Sequence, residues 1–417
     1  LGTLADAGHV RAERGALSSE CGRLLEIDPP HAEAAIDALW SAGRVVVAGN
    51  VVYLTHLEQA EREVAEHLGR LLRAPGRELR GWERAIGAFE KSTGYPLSAE
   101  QRQGVERVAR EKVMVVTGGP GVGKTTIVRA ILHVFRSARL DVKLAAPTGR
   151  AAKRLSESTG QSAATLHRLL EYDPHLHAFA RNARSPLDAQ AVVVDEASMV
   201  DIELARSLLA ALPDAGRLVL VGDVDQLPSV GPGAFLHDVI ESRAVPTVRL
   251  ERIFRQSEAS SIVKNAHAIL SGAEPASDAS EAERAEFFVI QKRDAEDAAL
   301  TIEKLVVERI PQRFGLDPRR DIQVLTPMHR GAAGTIALNQ LLQRALNPGQ
   351  EGIEHKQELI TLGDKVMQIR NDYEKEAFNG DLGLVVALDA RAGELTVDFE
   401  GRRVRYVPLE HRDAGFL

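Results

Sequence analysis

The chain has 417 residues, 44% of them hydrophobic, 27% charged and 4% aromatic, with a formal net charge of −7. That length predicts about two to four domains, and the ordinary composition excludes a wholly disordered or collagen-like chain. The acidic balance excludes a uniformly basic nucleic-acid face but leaves room for a narrow strand channel.

Cys21 is the only cysteine, which excludes internal disulfides and thiolate zinc clusters and fits a reducing cytoplasm. No apolar run reaches the roughly 18–20 residues of a membrane span, and no signal peptide opens the chain, so no membrane partner is expected. The first residue is a leucine, so the chain reads as a piece of a longer protein.

In chain order, residues 1–56 read as a small separate unit. "HAEAAIDALW" has a helical apolar face of Ala35, Ile36, Leu39 and Trp40, and a strand, a Gly49-Asn50 turn and a second strand follow. Helix then hairpin is the skeleton of a winged helix. A polar helix over 57–73 is expected to lead away, followed by a connector to residue 92. From Tyr95 short Val/Leu runs alternate with helices, the signature of an α/β parallel sheet, with strands expected at 113–117, 142–146, 191–195 and 217–222. A polar hinge at 271–285 precedes a second set: strand 287–290, helix 295–310, strand 321–326 and helix 333–345. From about 360 the pattern is short strands and turns, predicting a small β-barrel.

Residues 118–125, GGPGVGKT, match G-x-x-x-x-G-K-S/T between an apolar strand and a helix. Gly118, Gly119, Pro120, Gly121, Val122 and Gly123 form the loop whose backbone N–H groups would converge on an anion. The following helix turns its positive end to the same phosphates. Lys124 would reach β/γ oxygens, Thr125 would ligate Mg²⁺, and Thr126 completes the nucleotide contacts. "AVVVDEAS" supplies Asp195 for the Mg²⁺ water shell and Glu196 as general base, so hydrolysis of ATP is expected. In "GDVDQLP", Asp223, Asp225 and Gln226 would look into the nucleotide cleft, with Gln226 sensing the γ-phosphate and the attacking water.

Taken together, these strings resemble superfamily 1 helicases, most closely the RecD-like, 5′→3′ branch. "YPLSAEQRQGVERV" looks like the Q motif, which implies that Gln101 reads adenine. "RLERIFRQ" looks like motif IV and makes Arg255 a candidate γ-phosphate contact. "APTGRAAKRL" and "TLHRLL" resemble the strand-contacting motifs, placing Pro147, Thr148, Gly149, Arg150 and His167 on single-stranded DNA, with Lys153 and Arg154 following. "LTPMHRGAAGTIALNQLLQ" adds Thr326, His329, Arg330 and Asn339, and Tyr373 and Phe378 are candidates for base stacking.

The resemblance implies an α/β fold class: two RecA-like P-loop motor domains, a small N-terminal α+β winged-helix-like unit and an inserted SH3-like β-barrel. Motifs V and VI are absent from the string, so the second motor domain is expected to be incomplete here. The expected boundaries are 1–56, 57–92, 93–256, 257–358 and 359–410. The implied function is an ATP- and Mg²⁺-dependent helicase moving along single-stranded DNA and opening a DNA fork, in recombination or repair. Protein partners would dock through the N-terminal unit, which leans toward a stand-alone enzyme. An RNA-directed motor and a P-loop switch or clamp loader stay open as alternatives.

Overall fold

A computed structural model describes residues 1–252, 260–278, 285–348, 352–355, 358–369, 372, 375, 377 and 379–407. It divides into two compact units, Leu1–Phe287 and Phe288–Leu417.

The first unit opens with α1 (Gly2–Asp6), β1 (Arg11–Glu13), α2 (Arg14–Leu25), α3 (Pro29–Ser41) and the hairpin β2 (Val45–Ala48)–β3 (Val51–Leu54). The hairpin turns at Gly49-Asn50 as expected, and β3 is the central strand because β1 pairs with its free edge. Leu17, Ile36, Val45 and Val52 form a small core. The expected apolar face of α3 is only partly used: Ala32 and Ile36 are buried, while Leu39 and Trp40 remain exposed. Arg14 pins the helices together by pairing with Glu33 at 2.5 Å and Asp37 at 2.7 Å.

Next come α4 (Thr55–Arg73), α5 (Trp82–Thr93), α6 (Ala99–Arg110), β4 (Val113–Gly118), α7 (Lys124–Ser137), β5 (Val142–Ala146), α8 (Gly149–Thr159), β6 (Ala163–Thr165) and α9 (Leu166–Leu169). A small hairpin, β7 (Tyr172–Asp173) and β8 (Ala178–Phe179), precedes β9 (Ala191–Val194), α10 (Ile202–Ala211), β10 (Arg217–Gly222), α11 (Phe235–Glu241) and β11 (Thr247–Leu250). Strands β11-β4-β10-β9-β5-β6 form one parallel sheet. The strand periodicity of two divides its residues between two cores. Val113, Val115, Val192, Val194, Leu218 and Leu220 face α4 and α10, whereas Met114, Val116, Val193, Val219 and Val221 face α5, α6 and α7.

Two expectations are corrected by this layering. The helix expected to lead away is a covering layer, because Leu57, Ala60, Val64, Leu68 and Leu71 recur at helical spacing and bury against the sheet. The stretch expected as a connector holds α5, bracketed by Gly81 and Gly94 in left-handed conformation and buried through Ala85, Ile86 and Phe89.

Two buried cations stitch the amino end of the sheet, opposite the glycine-rich loop. Lys112 donates to the carbonyls of Leu71, Ala74 and Asp214, which caps the end of α4. Arg217 donates to Val108 and Glu111 at the end of α6 and to Arg77. A cation at a helix C-terminus meets both the orphan carbonyls and the negative end of the dipole.

In the second unit, helix Ala295–Lys304 runs through a π-helical turn, 305–309, into Ile310–Phe314, and a further helix spans Thr335–Leu346. The expected strands at 287–290 and 321–326 are not formed. Neither run is assigned as a strand among the described residues, and Phe288, Val289, Ile290 and Leu325 are exposed. A β-prone run becomes a strand only when another edge meets it. The β-rich end contains the hairpin β12 (Gly352–His355)–β13 (Glu358–Thr361) and the antiparallel sheet β14 (Lys365–Met367), β15 (Leu382–Asp389), β16 (Glu394–Phe399) and β17 (Arg402–Tyr406). Val385, Leu395, Val397, Phe399 and Tyr406 fill its core. The Tyr406 hydroxyl donates to Gln368 Oε1 at 2.8 Å, so the buried pair is satisfied.

Candidate nucleotide site

The carboxyl ends of three adjacent strands, β4, β10 and β9, carry the glycine-rich loop, Asp223 and the Asp195-Glu196 pair respectively. The open end of a parallel sheet is where such folds place ligands. The loop's shape follows from its sequence. Gly121 and Gly123 have φ of 75° and 81°, a region open to glycine at little cost. Gly118 is required sterically, because a Cβ there would lie 2.6 Å from the Leu250 carbonyl oxygen and 2.8 Å from Val122. Val122 is buried and anchors the loop into the core.

Lys124, the first residue of α7, donates to the carbonyls of Gly118 at 2.6 Å and Gly119 at 3.2 Å. Its Nζ also lies 3.5 Å from Oδ2 of the buried Asp223. The same Asp223 oxygen accepts from Gln226 Nε2 at 3.4 Å, so Lys124, Asp223 and Gln226 form one chain from loop to elbow. Gln226 and Thr125 are themselves exposed.

Burial raises the Asp195 carboxyl above its ordinary range, while the Glu196 N–H at 3.0 Å, Lys124 and Arg154 oppose the rise. Burial raises Glu196 too, followed by repulsion from Asp195; Lys124 and Arg154 oppose it and Asp223 adds to it. Glu196 also sits at φ 51°, a left-handed conformation uncommon for a non-glycine residue. Strain of this kind gathers at functional sites.

Among the described residues, four buried side-chain polar atoms lack a hydrogen-bond partner: Thr117 Oγ1, Glu196 Oε2, Ser198 Oγ and His267 Nε2. Thr117 is the penultimate residue of β4, and Glu196 and Ser198 follow β9. The loop, the lysine and these orphaned oxygens fit a nucleotide with a hydrated cation. No cluster of three or more His, Cys, Asp or Glu side chains suited to a metal occurs among the described residues. Mg²⁺ in nucleotide sites takes few protein ligands and completes its shell with phosphates and water. Thr125 and Asp195 are the residues that would hold it.

Gln101 is brought to the loop, but its amide is engaged. Its Oε1 accepts from Ser98 N at 3.0 Å in a capping box with α6, and its Nε2 donates to the Gly123 carbonyl at 3.3 Å. Reading adenine requires these bonds to be exchanged. Arg255 lies outside the described residues, as do Tyr373 and Phe378.

The strand-contact candidates fall in three places. Pro147, Thr148 and Gly149 leave the carboxyl end of β5, with Thr148 capping α8 by accepting from Ala151 N at 3.2 Å and Arg150 exposed beside it. His167 packs on Tyr172 and Phe179, with ring centroids 5.5 Å and 5.7 Å away. It lines a groove of about 530 Å³ with Arg181, Asn182 and Asp201, and burial lowers its pKa. In the second unit Thr326 donates to the Ala333 carbonyl and His329 Nδ1 lies 3.2 Å from Thr335 Oγ1; Arg330 and Asn339 are exposed.

Sequence reasoning placed Asp223 in the loop facing the cleft but missed its burial beside Lys124, although an acid straight after an apolar strand is the signal for a buried counter-ion. The approach of His267 to Gly119 carries no local signal in the sequence.

An AAA-domain family model matches residues 101–232, and the model of the ATP-dependent RecD-like DNA helicase SH3 domain matches 338–399. The chain is 37% identical over 399 residues to the ATP-dependent RecD2 DNA helicase of Deinococcus radiodurans, covering 94% of this chain and 51% of that protein. It is 33% identical over 375 residues to the RecBCD enzyme subunit RecD of Mycolicibacterium smegmatis, covering 81% of this chain and 65% of that one. The chain thus spans about half to two thirds of the length of these curated relatives. A solved structure of Bacteroides Pif1 bound to single-stranded DNA is 20% identical, covers 75% of this chain and 74% of that chain, and superposes with a TM-score of 0.40, too low to bear on the fold.

Proposed function

We propose that the chain, 37% identical to a RecD2 helicase over 94% of its length and matched by the RecD-like SH3 domain model, belongs to the RecD-like helicases of superfamily 1 and is the part of an ATP-dependent DNA helicase that hydrolyses ATP and holds single-stranded DNA. The observation that carries this reading is the convergence of Lys124, Asp223, Asp195 and Glu196 at the carboxyl end of the sheet, with orphaned oxygens around them. When nucleotide enters, Lys124 exchanges the Gly118 and Gly119 carbonyls for phosphate oxygens and keeps Asp223 as its counter-ion. Thr125 and Asp195 would hold Mg²⁺, which would supply charge neutralisation at the phosphates. Glu196, with its raised pKa, takes the proton of the attacking water. Gln226 passes the state of the phosphate site to the elbow through Asp223.

The proposed strand track runs over Pro147, Thr148, Gly149 and Arg150, past His167, and in the second unit over Thr326, His329, Arg330 and Asn339. Movement is 5′→3′ along single-stranded DNA toward a fork, in recombination or repair in the cytoplasm. No described helix is long and apolar enough to cross a membrane. Residues 1–54 are read as a winged helix serving a protein partner, and the first motor lobe as running from α4 onward. The region from 288 is read as an incomplete second lobe carrying the SH3-like barrel.

Thr148→Ala with Arg150→Ala tests the track. In the full-length protein the double variant is expected to bind oligothymidine more weakly and to reduce the slope of log affinity against log salt by about 0.7 per lost phosphate contact. ATP turnover without DNA stays unchanged. Unaltered affinity at fixed salt would move the track elsewhere. A wild-type ATPase that DNA fails to stimulate would favour a P-loop switch.

A further inference from the structure

His267 lies on the helix Ser261–Leu270, beyond every motif used above. Its ring nevertheless reaches the glycine-rich loop: a Cβ built on Gly119 would lie 3.2 Å from His267 Cε1 and 3.8 Å from Nε2. The Nε2 atom is buried and has no hydrogen-bond partner. An imidazole nitrogen left so is costly unless something else completes it.

The helix that presents this ring is fastened in place. Buried Asn265, two residues before His267, donates to the Ala276 carbonyl at 2.9 Å and accepts from Ala276 N at 2.7 Å. Ser261 donates to Asp278 Oδ2 at 2.6 Å, and that oxygen also accepts from the backbone of Glu286 and Phe287. These bonds tie the helix to the segment that follows it, and its ring meets the loop at Gly119. The loop it meets carries backbone N–H groups, and Lys124 donates to the same Gly119; both are donors suited to an anion. A further donor here completes an anion cradle.

We propose that His267 is a phosphate-binding residue of the nucleotide site, donating its Nε2–H to the phosphate chain of a nucleotide seated on the glycine-rich loop. This rests on the reading of that loop given above. It makes the helix after the first sheet a direct reporter of nucleotide occupancy.

The test is ADP·Mg²⁺ binding to the full-length protein by calorimetry, with thermal unfolding of each variant alongside. His267→Gln places an amide N–H close to the position of Nε2, His267→Asn falls short of it, and His267→Leu fills space without a donor. Gln is expected to bind within about threefold of wild type, and Asn and Leu about tenfold more weakly, the loss of one hydrogen bond to a charged acceptor. Wild-type affinity in His267→Leu would make the ring mere packing on Gly119 and overturn the proposal, as would equal losses in Gln and Asn. If Leu fails to fold, the comparison of Gln with Asn decides alone. A wild-type protein that binds no ADP would instead overturn the loop reading itself, and the assignment of His267 with it.

Discussion

Glu196→Gln is expected to lower ATP turnover by about 10²–10⁴-fold, the usual contribution of a general base, while nucleotide still binds. Lys124→Ala should lose about 10²–10³-fold through the missing phosphate-stabilising donor. The Glu196 variant carries a second, opposite signature. Burial, with repulsion from Asp195 and Asp223, raises the carboxyl pKa in the folded protein. The folded state then holds that proton more tightly than the unfolded chain, so stability falls as pH rises from the ordinary carboxylate range through the raised value. At neutral pH, above the ordinary carboxylate range, the penalty is present. Glu196→Gln removes it, so the nucleotide-free variant should melt higher than wild type at neutral pH, with the gap closing on acidification. Steady-state ATPase assays and thermal melts across pH check both halves; a variant that turns over normally, or that melts lower at neutral pH, contradicts the assignment.

Arg217→Met should be the most damaging single change at the opposite, amino end of the sheet. It strands the carbonyls of Val108, Glu111 and Arg77, all tied by one guanidinium that is itself buried. Burial disfavours its charge and lowers its pKa, which offsets part of what the hydrogen bonds contribute. A net loss of about 3 kcal/mol is expected from unsatisfied buried acceptors. Arg23→Ala, which breaks an exposed pair with Glu20, should leave the melting midpoint unmoved. Chemical denaturation of the three proteins separates the cases, and equal midpoints for Arg217→Met and wild type would refute the role.

The strands of the first sheet were legible because each is a short Val/Leu run closed by a chemistry-bearing turn, and 142–146 and 217–222 agree with the structure residue for residue. The glycine-rich loop and the acidic pair were legible for the same reason: their residue types are fixed by the backbone and charge they must supply. Layer assignment was not legible. The face of α4 is apolar at helical spacing, but nothing local says whether it meets a sheet or solvent. Strand 287–290 failed likewise, since pairing depends on residues far away in the chain. The engagement of Gln101 was written in the string Ser98-Ala99-Glu100-Gln101, which is a capping box. By contrast, Arg217 read only as the polar start of an apolar run, and its three carbonyl partners come from distant segments.

The central proposal joins a nucleotide site to directional movement on a strand, and strand displacement by the full-length protein tests that most directly. The substrate is one duplex carrying a single-stranded tail at either its 5′ or its 3′ end, with ATP and Mg²⁺ present. The account predicts separation from the 5′ tail, none from the 3′ tail, and loss of all separation in Glu196→Gln. Separation from the 3′ tail alone, or separation that survives in Glu196→Gln, would contradict it.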